Sequence, residues 1–238
     1  MMLSLLQLLN PRQGSILLDD TDIGLLSPRN VRRQGFITVP QDNITIPTAS
    51  LRFNLDPYHA SSIQDILRIL QRVNLWGKIH STLATTANGE KSVSDDIRNL
   101  IHLPMSAFLP FSAVQSQLFT LSRALLRLRS AAPRKPIIIL DEASSSLDSG
   151  IESILRDMLR HDLRYYTVVM TAHRVEGIMG DMRTGVDAIA TMQDGKLQSM
   201  SLIESSTWVG FLSVQTAPKF IIACSLPSSF PKVITFIL

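Results

Sequence analysis

The chain has 238 residues, 45% of them hydrophobic and 18% charged, with a net charge of +3 and a single cysteine, Cys224. A charged fraction below the ~25% of an average globular protein, with this much apolar side chain, excludes a disordered chain and supplies a core for one large domain or two small ones. One cysteine excludes an intrachain disulfide, the opening residues lack the pattern of a signal peptide, and prolines and lysines interrupt the only tract approaching the ~20 apolar residues of a membrane span.

In chain order, Met2 to Leu9 is an apolar stretch predicted to form a short helix stopped by Pro11. Ser15 to Leu18 reads as a strand, DDTDIG as a turn, and SPRNVRRQG as a short helix ended by Gly35. FITVPQD is a second strand that enters a loop at Pro40. From Ser61 to Ile79, apolar residues including Ile63, Ile66, Leu67, Leu70 and Val73 recur at helical spacing, which predicts an amphipathic helix. Residues 80–110 read as irregular and polar, then proline-broken. A strong helix is expected over Ala113 to Arg129, where Ser112 and Gln115 have capping-box spacing. Its Arg123, Arg127 and Arg129, with Arg134 and Lys135, have no interleaved aromatics and read as a solvated face rather than a nucleic-acid site.

Ile137 to Leu140 is apolar without alternation, as in a strand buried on both faces of a parallel sheet. A helix comes next, with Ser149 and Glu152 at capping-box spacing and Ile151, Ile154, Leu155, Met158 and Leu159 on its apolar face. TVVMTAHR is another continuous strand and AIATMQDGK a strand with a turn. Strands alternating with helices predict an α/β fold with a parallel core. After about Ser199 the pattern dissolves, so residues 1–198 are expected to be the domain and 199–238 an unrelated apolar tail.

The buried strand runs straight into Asp141 and Glu142. Adjacent charges at a core edge are costly without compensation, and the carboxyl ends of parallel strands are where α/β sheets bind ligands. The first acid there suits Mg²⁺, and the second can polarise a water for attack on a phosphoryl group. On these residues alone a second reading stands equally, with Asp141 capping the next turn and Glu142 facing solvent.

Five segments resemble, in order and near the right spacing, the nucleotide-binding domain of ABC transporters over roughly residues 3–198. IIILDEASSSLD looks like the Walker B strand followed by the D-loop, Ser146-Leu147-Asp148; VPQD places Gln41 as the Q-loop glutamine; MTAHR places His173 as the switch histidine. SLRFNLDPY is similar to the segment after the Q-loop in the C subfamily, the multidrug-resistance-associated transporters, especially their second nucleotide-binding domain. FSAVQSQLFTLSRALLR looks like that subfamily's signature segment and helix. The resemblance implies a P-loop NTPase fold with a parallel sheet core and a helical signature subdomain, and ATP and Mg²⁺ as cofactors. It implies that Asp141 holds Mg²⁺, which Gln41 senses, that Glu142 polarises the attacking water and that His173 contacts the γ-phosphate. Ser112 and Gln115 would meet the nucleotide, and Asp148 would couple two halves of a dimer. The implied partners are transmembrane domains and a second nucleotide-binding domain, at the cytoplasmic face of a membrane.

Two departures qualify this resemblance. The P-loop, G-x-x-x-x-G-K-[ST], wraps phosphates in backbone N–H groups and neutralises them with its lysine. Here Gly77-Lys78 is followed by Ile79 and Gly195-Lys196 by Leu197, so no such loop occurs in these 238 residues. LSLLQLLNPRQGSILLDD resembles the helix, turn and strand that come after the loop in the family, so the chain is expected to start mid-helix, as a fragment. In the signature, Phe111-Ser112-Ala113-Val114-Gln115 carries valine where the family has a glycine that lets backbone approach the γ-phosphate.

Three readings are open: a fragment or degenerate copy of an exporter's ATP-binding domain, a catalytically dead module that docks on a transporter, and a soluble ABC-type ATPase of nucleic-acid repair, which LRFNLDP and the lack of heptads disfavour. Phosphoryl transfer depends on positioning and charge stabilisation that the missing loop supplies, so this 238-residue chain by itself is expected to show no ATPase activity. Mg²⁺-dependent turnover that survives purification and disappears in Glu142→Gln would overturn that expectation.

Overall fold

The computed structural model describes residues 2–11, 13–81, 93–131, 135–141, 149–171, 182–193, 196–203 and 234–237. In chain order these form helix α1 (Met2–Leu5), strands β1 (Ser15–Leu18) and β2 (Thr21–Asp22), helix α2 (Pro28–Asn30) continued by a π turn (Val31–Gly35), and β3 (Phe36–Val39). Helices α3 (Leu51–Leu55), α4 (Ile63–Arg72), α5 (Trp76–His80), α6 (Val93–Leu100) and α7 (Ala113–Ala131) come next. Then come β4 (Ile137–Asp141), α8 (Ser149–His161), β5 (Val168–Thr171), β6 (Ala188–Gln193), β7 (Lys196–Leu202) and β8 (Ile234–Ile237). Two compact units result, one of Met1–Pro40 with Pro133–Leu238, the other of Gln41–Ala132.

The first unit contains a parallel sheet in the order β3-β4-β5. Register runs from Phe36 opposite Ile137 to Val39 opposite Leu140, and from Ile138 opposite Val168 to Asp141 opposite Thr171. Ile137 to Leu140 are each at most 2% exposed, which accounts for their unbroken apolar run. Alternate residues Ile137 and Ile139 join Leu5, Ile16, Ile23, Val31, Phe36 and Val169 in one core cluster. Each such side chain contributes roughly 1.5–3 kcal/mol on full burial.

A second, antiparallel sheet has the order β2-β1-β8. Leu18 pairs with Thr21 across a two-residue loop in which Asp19 and Asp20 have φ of 50° and 62°. Positive φ at both positions is the geometry that matches strand twist in tight hairpins, and aspartate tolerates it. Gly35 ends the π turn where a Cβ would lie 3.3 Å from Leu18 Cδ2. Helix α1 stops sooner than its apolar run predicts. Gln7 turns to φ 50° and donates through its side-chain amide to the Ile23 carbonyl, while Arg32 Nη1 donates to the Leu6 and Gln7 carbonyls at 3.1 and 3.3 Å. Strands β6 and β7 form an antiparallel hairpin, and regular structure continues past Ser199 to Leu202, with Ile203 buried.

In the second unit the helix expected over Ser61 to Ile79 is two, α4 and α5. Asn74 adopts φ 58° between them, a left-handed helix stop that asparagine tolerates. Ser62 caps α4, accepting from the Asp65 N–H at 3.1 Å and donating to its Oδ2 at 2.7 Å. That hydroxyl, with Arg129 and Arg68 nearby, holds the Asp65 carboxyl below its usual range, so the stabilisation is present above that range and fades as pH falls through it. Helix α6 lies where residues 80–110 read as irregular; Ile97, Leu100 and Ile101 are buried beyond a polar beginning.

Asn54, 4% exposed, organises the segment before α3. Its Oδ1 accepts from Ile46 N–H at 2.7 Å, and its Nδ2 donates to the carbonyls of Ile46 at 3.0 Å, Ala49 at 3.3 Å and Ser50 at 3.0 Å. Asp56 Oδ2 accepts from Ser61 N–H at 2.7 Å on the other side of α3. Asn54→Ala removes the acceptor of the Ile46 N–H and a second donor from three carbonyls that keep backbone partners, and a hydrogen bond of this kind contributes about 0.5–1.5 kcal/mol. Urea unfolding should show a destabilisation of at least that size; a change within about 0.5 kcal/mol, the surface-substitution range, would mean that water takes over these bonds.

Candidate functional site

Strand β4 ends on Asp141, and the parallel register sets it beside Thr171, the last residue of β5. The Thr171 hydroxyl donates to Asp141 Oδ1 at 2.7 Å. Thr171 is 1% exposed, while Asp141 is half-buried. A short O–H···O⁻ bond of this kind is roughly twice as strong as a neutral one and fixes the carboxylate's orientation. Thr171 plays a positioning role that the sequence reading passed over. The signal was there, as a hydroxyl ending the apolar run VVMT, but it means something only once β5 is known to be parallel to β4 in this register.

Mg²⁺ is ordinarily held by one or two carboxylates together with phosphate oxygens and water, rather than by a full protein cage. Among the described residues no cluster of three or more acidic, histidine or cysteine side chains occurs. A single oriented carboxylate at the carboxyl end of the sheet fits Mg²⁺ on those terms.

Glu142, Asp148 and His173 lie outside the described residues; Glu142 directly follows β4, and His173 follows β5 by two positions. Gln41 comes two residues after β3, where the second unit begins, and is exposed. Ser112 and Gln115 also belong to the second unit and bond each other. Ser112 N–H donates to Gln115 Oε1 and Gln115 N–H donates to Ser112 Oγ, both at 3.1 Å, the capping box that the spacing predicts. Ser112 Oγ acts as acceptor in this box, so its own proton is not used by it. Val114, the second residue of α7, is half-buried.

The basic face of α7 differs from its reading as solvated. Arg129 is exposed, but Arg123 and Arg127 are half-buried. Burial, with Arg127 adjacent, lowers the pKa of Arg123; burial also lowers that of Arg127, opposed by Tyr58. Arg123 Nη1 donates to the Ile44 carbonyl at 2.8 Å, which ties the segment just after Gln41 to α7.

Comparison with known proteins adds the family context. No family model matches the chain. The ABC transporter FGM5 of Gibberella zeae is 32% identical over 185 residues, 74% of this chain and 11% of that protein. The pleiotropic ABC efflux transporter of multiple drugs YBT1 of Candida glabrata is 31% identical over 198 residues, 82% of this chain and 11% of that protein. The chain's homologues are fungal ABC transporters. It spans about a tenth of the length of those two relatives. A bacterial Atm1-family ABC exporter with ATP bound matches in structure with a TM-score of 0.63 at 19% identity, over 84% of this chain and 31% of that one. The α/β fold with its parallel sheet is that of an ABC exporter ATPase, and an ABC nucleotide-binding domain fits the chain.

The Asp141–Thr171 bond can be isolated with Asp141→Ala, Thr171→Val and the double substitution. Hydrogen bonds to charged groups contribute about 1.5–3 kcal/mol, so the cycle should show coupling of that order in urea unfolding. Additivity within about 0.5 kcal/mol, as for independent sites, would show that the bond contributes nothing.

Proposed function

We propose that this chain is part of the ATP-hydrolysing domain of an ABC exporter of the C subfamily, which couples Mg-ATP to movement of a solute across a membrane. The observation that carries the reading is the Asp141 carboxylate at the carboxyl end of β4, oriented by the buried Thr171 hydroxyl at 2.7 Å. In this reading Asp141 holds Mg²⁺ with Gln41, and the bound metal supplies charge neutralisation at phosphate oxygens. Glu142 polarises the attacking water. His173 hydrogen-bonds the terminal phosphate, Ser112 and Gln115 contact nucleotide at the signature, and Asp148 lies between two domains. Transmembrane domains and a second nucleotide-binding domain are the proposed partners, at the cytoplasmic face of a membrane. No helix among the described residues is long and apolar enough to cross one. The domain is proposed to extend at least to Ile203, because β7 runs from Lys196 to Leu202 and Ile203 is buried.

One observation favours a second reading, a catalytically dead docking module. Val114 stands where the family's signature has glycine. A β-branched residue restricts the backbone that should approach the γ-phosphate. Losing one comparable charge-stabilising donor costs about 10²–10³ in rate.

A full-length chimera that supplies an upstream P-loop segment, paired with a partner domain, separates the readings. Binding of a fluorescent ATP analogue should become Mg²⁺-dependent and weaken at least tenfold in Asp141→Asn. Val114→Gly should raise turnover at the opposite site only when that site has a P-loop. Binding indifferent to both Mg²⁺ and Asp141 would reject the ATPase reading in favour of the docking module. Equal turnover for valine and glycine would show that residues 111–115 are not the signature.

A further inference from the structure

Residues 42–45, which follow Gln41, have no regular secondary structure and, among the described residues, no backbone-to-backbone hydrogen bond. Apolar burial does not anchor the segment either, since Ile44 is 74% exposed and Ile46 48%. Two side chains fasten it instead. Asn54 bonds both the N–H and the carbonyl of Ile46, at 2.7 and 3.0 Å. Arg123 Nη1 donates to the Ile44 carbonyl at 2.8 Å. Gln41, Ile44, Ile46, Asn54 and Arg123 all belong to the second unit.

The two fastenings differ in what they tie the segment to. Asn54 comes eight residues after Ile46, so its bonds fold the segment onto its own continuation. Arg123 is 79 positions from Ile44 and about three turns into α7, a helix anchored by buried Phe119, Leu121, Ala124 and Leu125. A charged donor makes a bond roughly twice as strong as a neutral one, and a half-buried guanidinium meets less competition from water. The bond also shortens the free span around Gln41. From Val39, where β3 ends, the chain runs five residues to Ile44, a contour of about 17 Å; without the bond it runs seven to Ile46, about 24 Å.

We infer that Arg123 is a positioning residue for Gln41: through the Ile44 carbonyl it fixes the glutamine loop to α7, so that the Gln41 side chain is held ready for Mg²⁺. The inference rests on the reading of Gln41 as a contact of the metal. A single carbonyl needs one donor and not the planar fork, so the role lies in the bond and not in the shape of arginine.

The test places the full chain in the P-loop chimera and follows binding of a fluorescent ATP analogue, without Mg²⁺ and across a Mg²⁺ titration. The variants are Gln41→Ala, Arg123→Ala, the two together, and Arg123→Lys. Removing an outer partner of a metal ligand costs about 10–100-fold in metal affinity, so Arg123→Ala should raise the half-saturating Mg²⁺ concentration about tenfold. Binding without Mg²⁺ should not change. Because Arg123 acts through Gln41, the double substitution should match Gln41→Ala alone. Arg123→Lys keeps a donor and should stay within about threefold of the unaltered chain. Shifts that multiply, no shift in Arg123→Ala, or a lysine as damaging as alanine would overturn the positioning role while the reading of Gln41 stands. Weakened Mg²⁺-free binding in Arg123→Ala would also overturn it, as the mark of a general structural loss. If Gln41→Ala leaves the Mg²⁺ dependence unchanged, the assignment of Gln41 falls, and this inference falls with it.

Discussion

Strand β4 is hydrogen-bonded on both sides by parallel neighbours, and this constraint governs the unit that holds the candidate site. Ile137 to Leu140 point alternately to the two faces of the sheet and are all buried, so neither face offers a place for a polar side chain. The first polar residue then appears where the sheet ends, and that residue is Asp141. Parallel register carries Thr171 to the same level on β5, where a buried hydroxyl meets the carboxylate. Position, orientation and partial burial of the acid all follow from one pairing pattern. Shifting β5 by a residue would put the wrong face beside Asp141 and lose the bond.

The second unit is built on another principle. Its helices bury an apolar interior, yet the segments between them are held by polar side chains that replace missing backbone partners. Asn54 accepts from the Ile46 N–H and adds a second donor to three carbonyls of the segment leading into α3, Asp56 takes up the Ser61 N–H, and Arg123 closes on the Ile44 carbonyl. This accounts for SLRFNLDPY as a recognisable stretch with no chemistry of its own: Asn54 and Asp56 are there for backbone satisfaction. Ser112 and Gln115 are spent partly in the same way, on the first turn of α7.

Relatives that are roughly one-third identical, of which the chain spans about a tenth, point to a module of a larger machine. In the proposed reading, Val114 occupies a position where the family's signature has glycine.

Composition and periodicity alone determined the α/β class, the parallel core, the buried β4, helix α7 and its capping box, because these arise from unbroken apolar runs, helical spacing and local side-chain-to-backbone bonds. The acid at the end of β4 was legible for the same reason. Features beyond the reach of local pattern were decided by contacts between distant residues. Arg32 stops α1, and the Thr171 bond depends on register between strands thirty positions apart. Half-burial of Arg123 and Arg127 depends on the neighbours of α7, and the pairing of β8 with β1 joins the two ends of the chain. No sequence window contains both partners of such a contact, so only the tertiary structure could decide it.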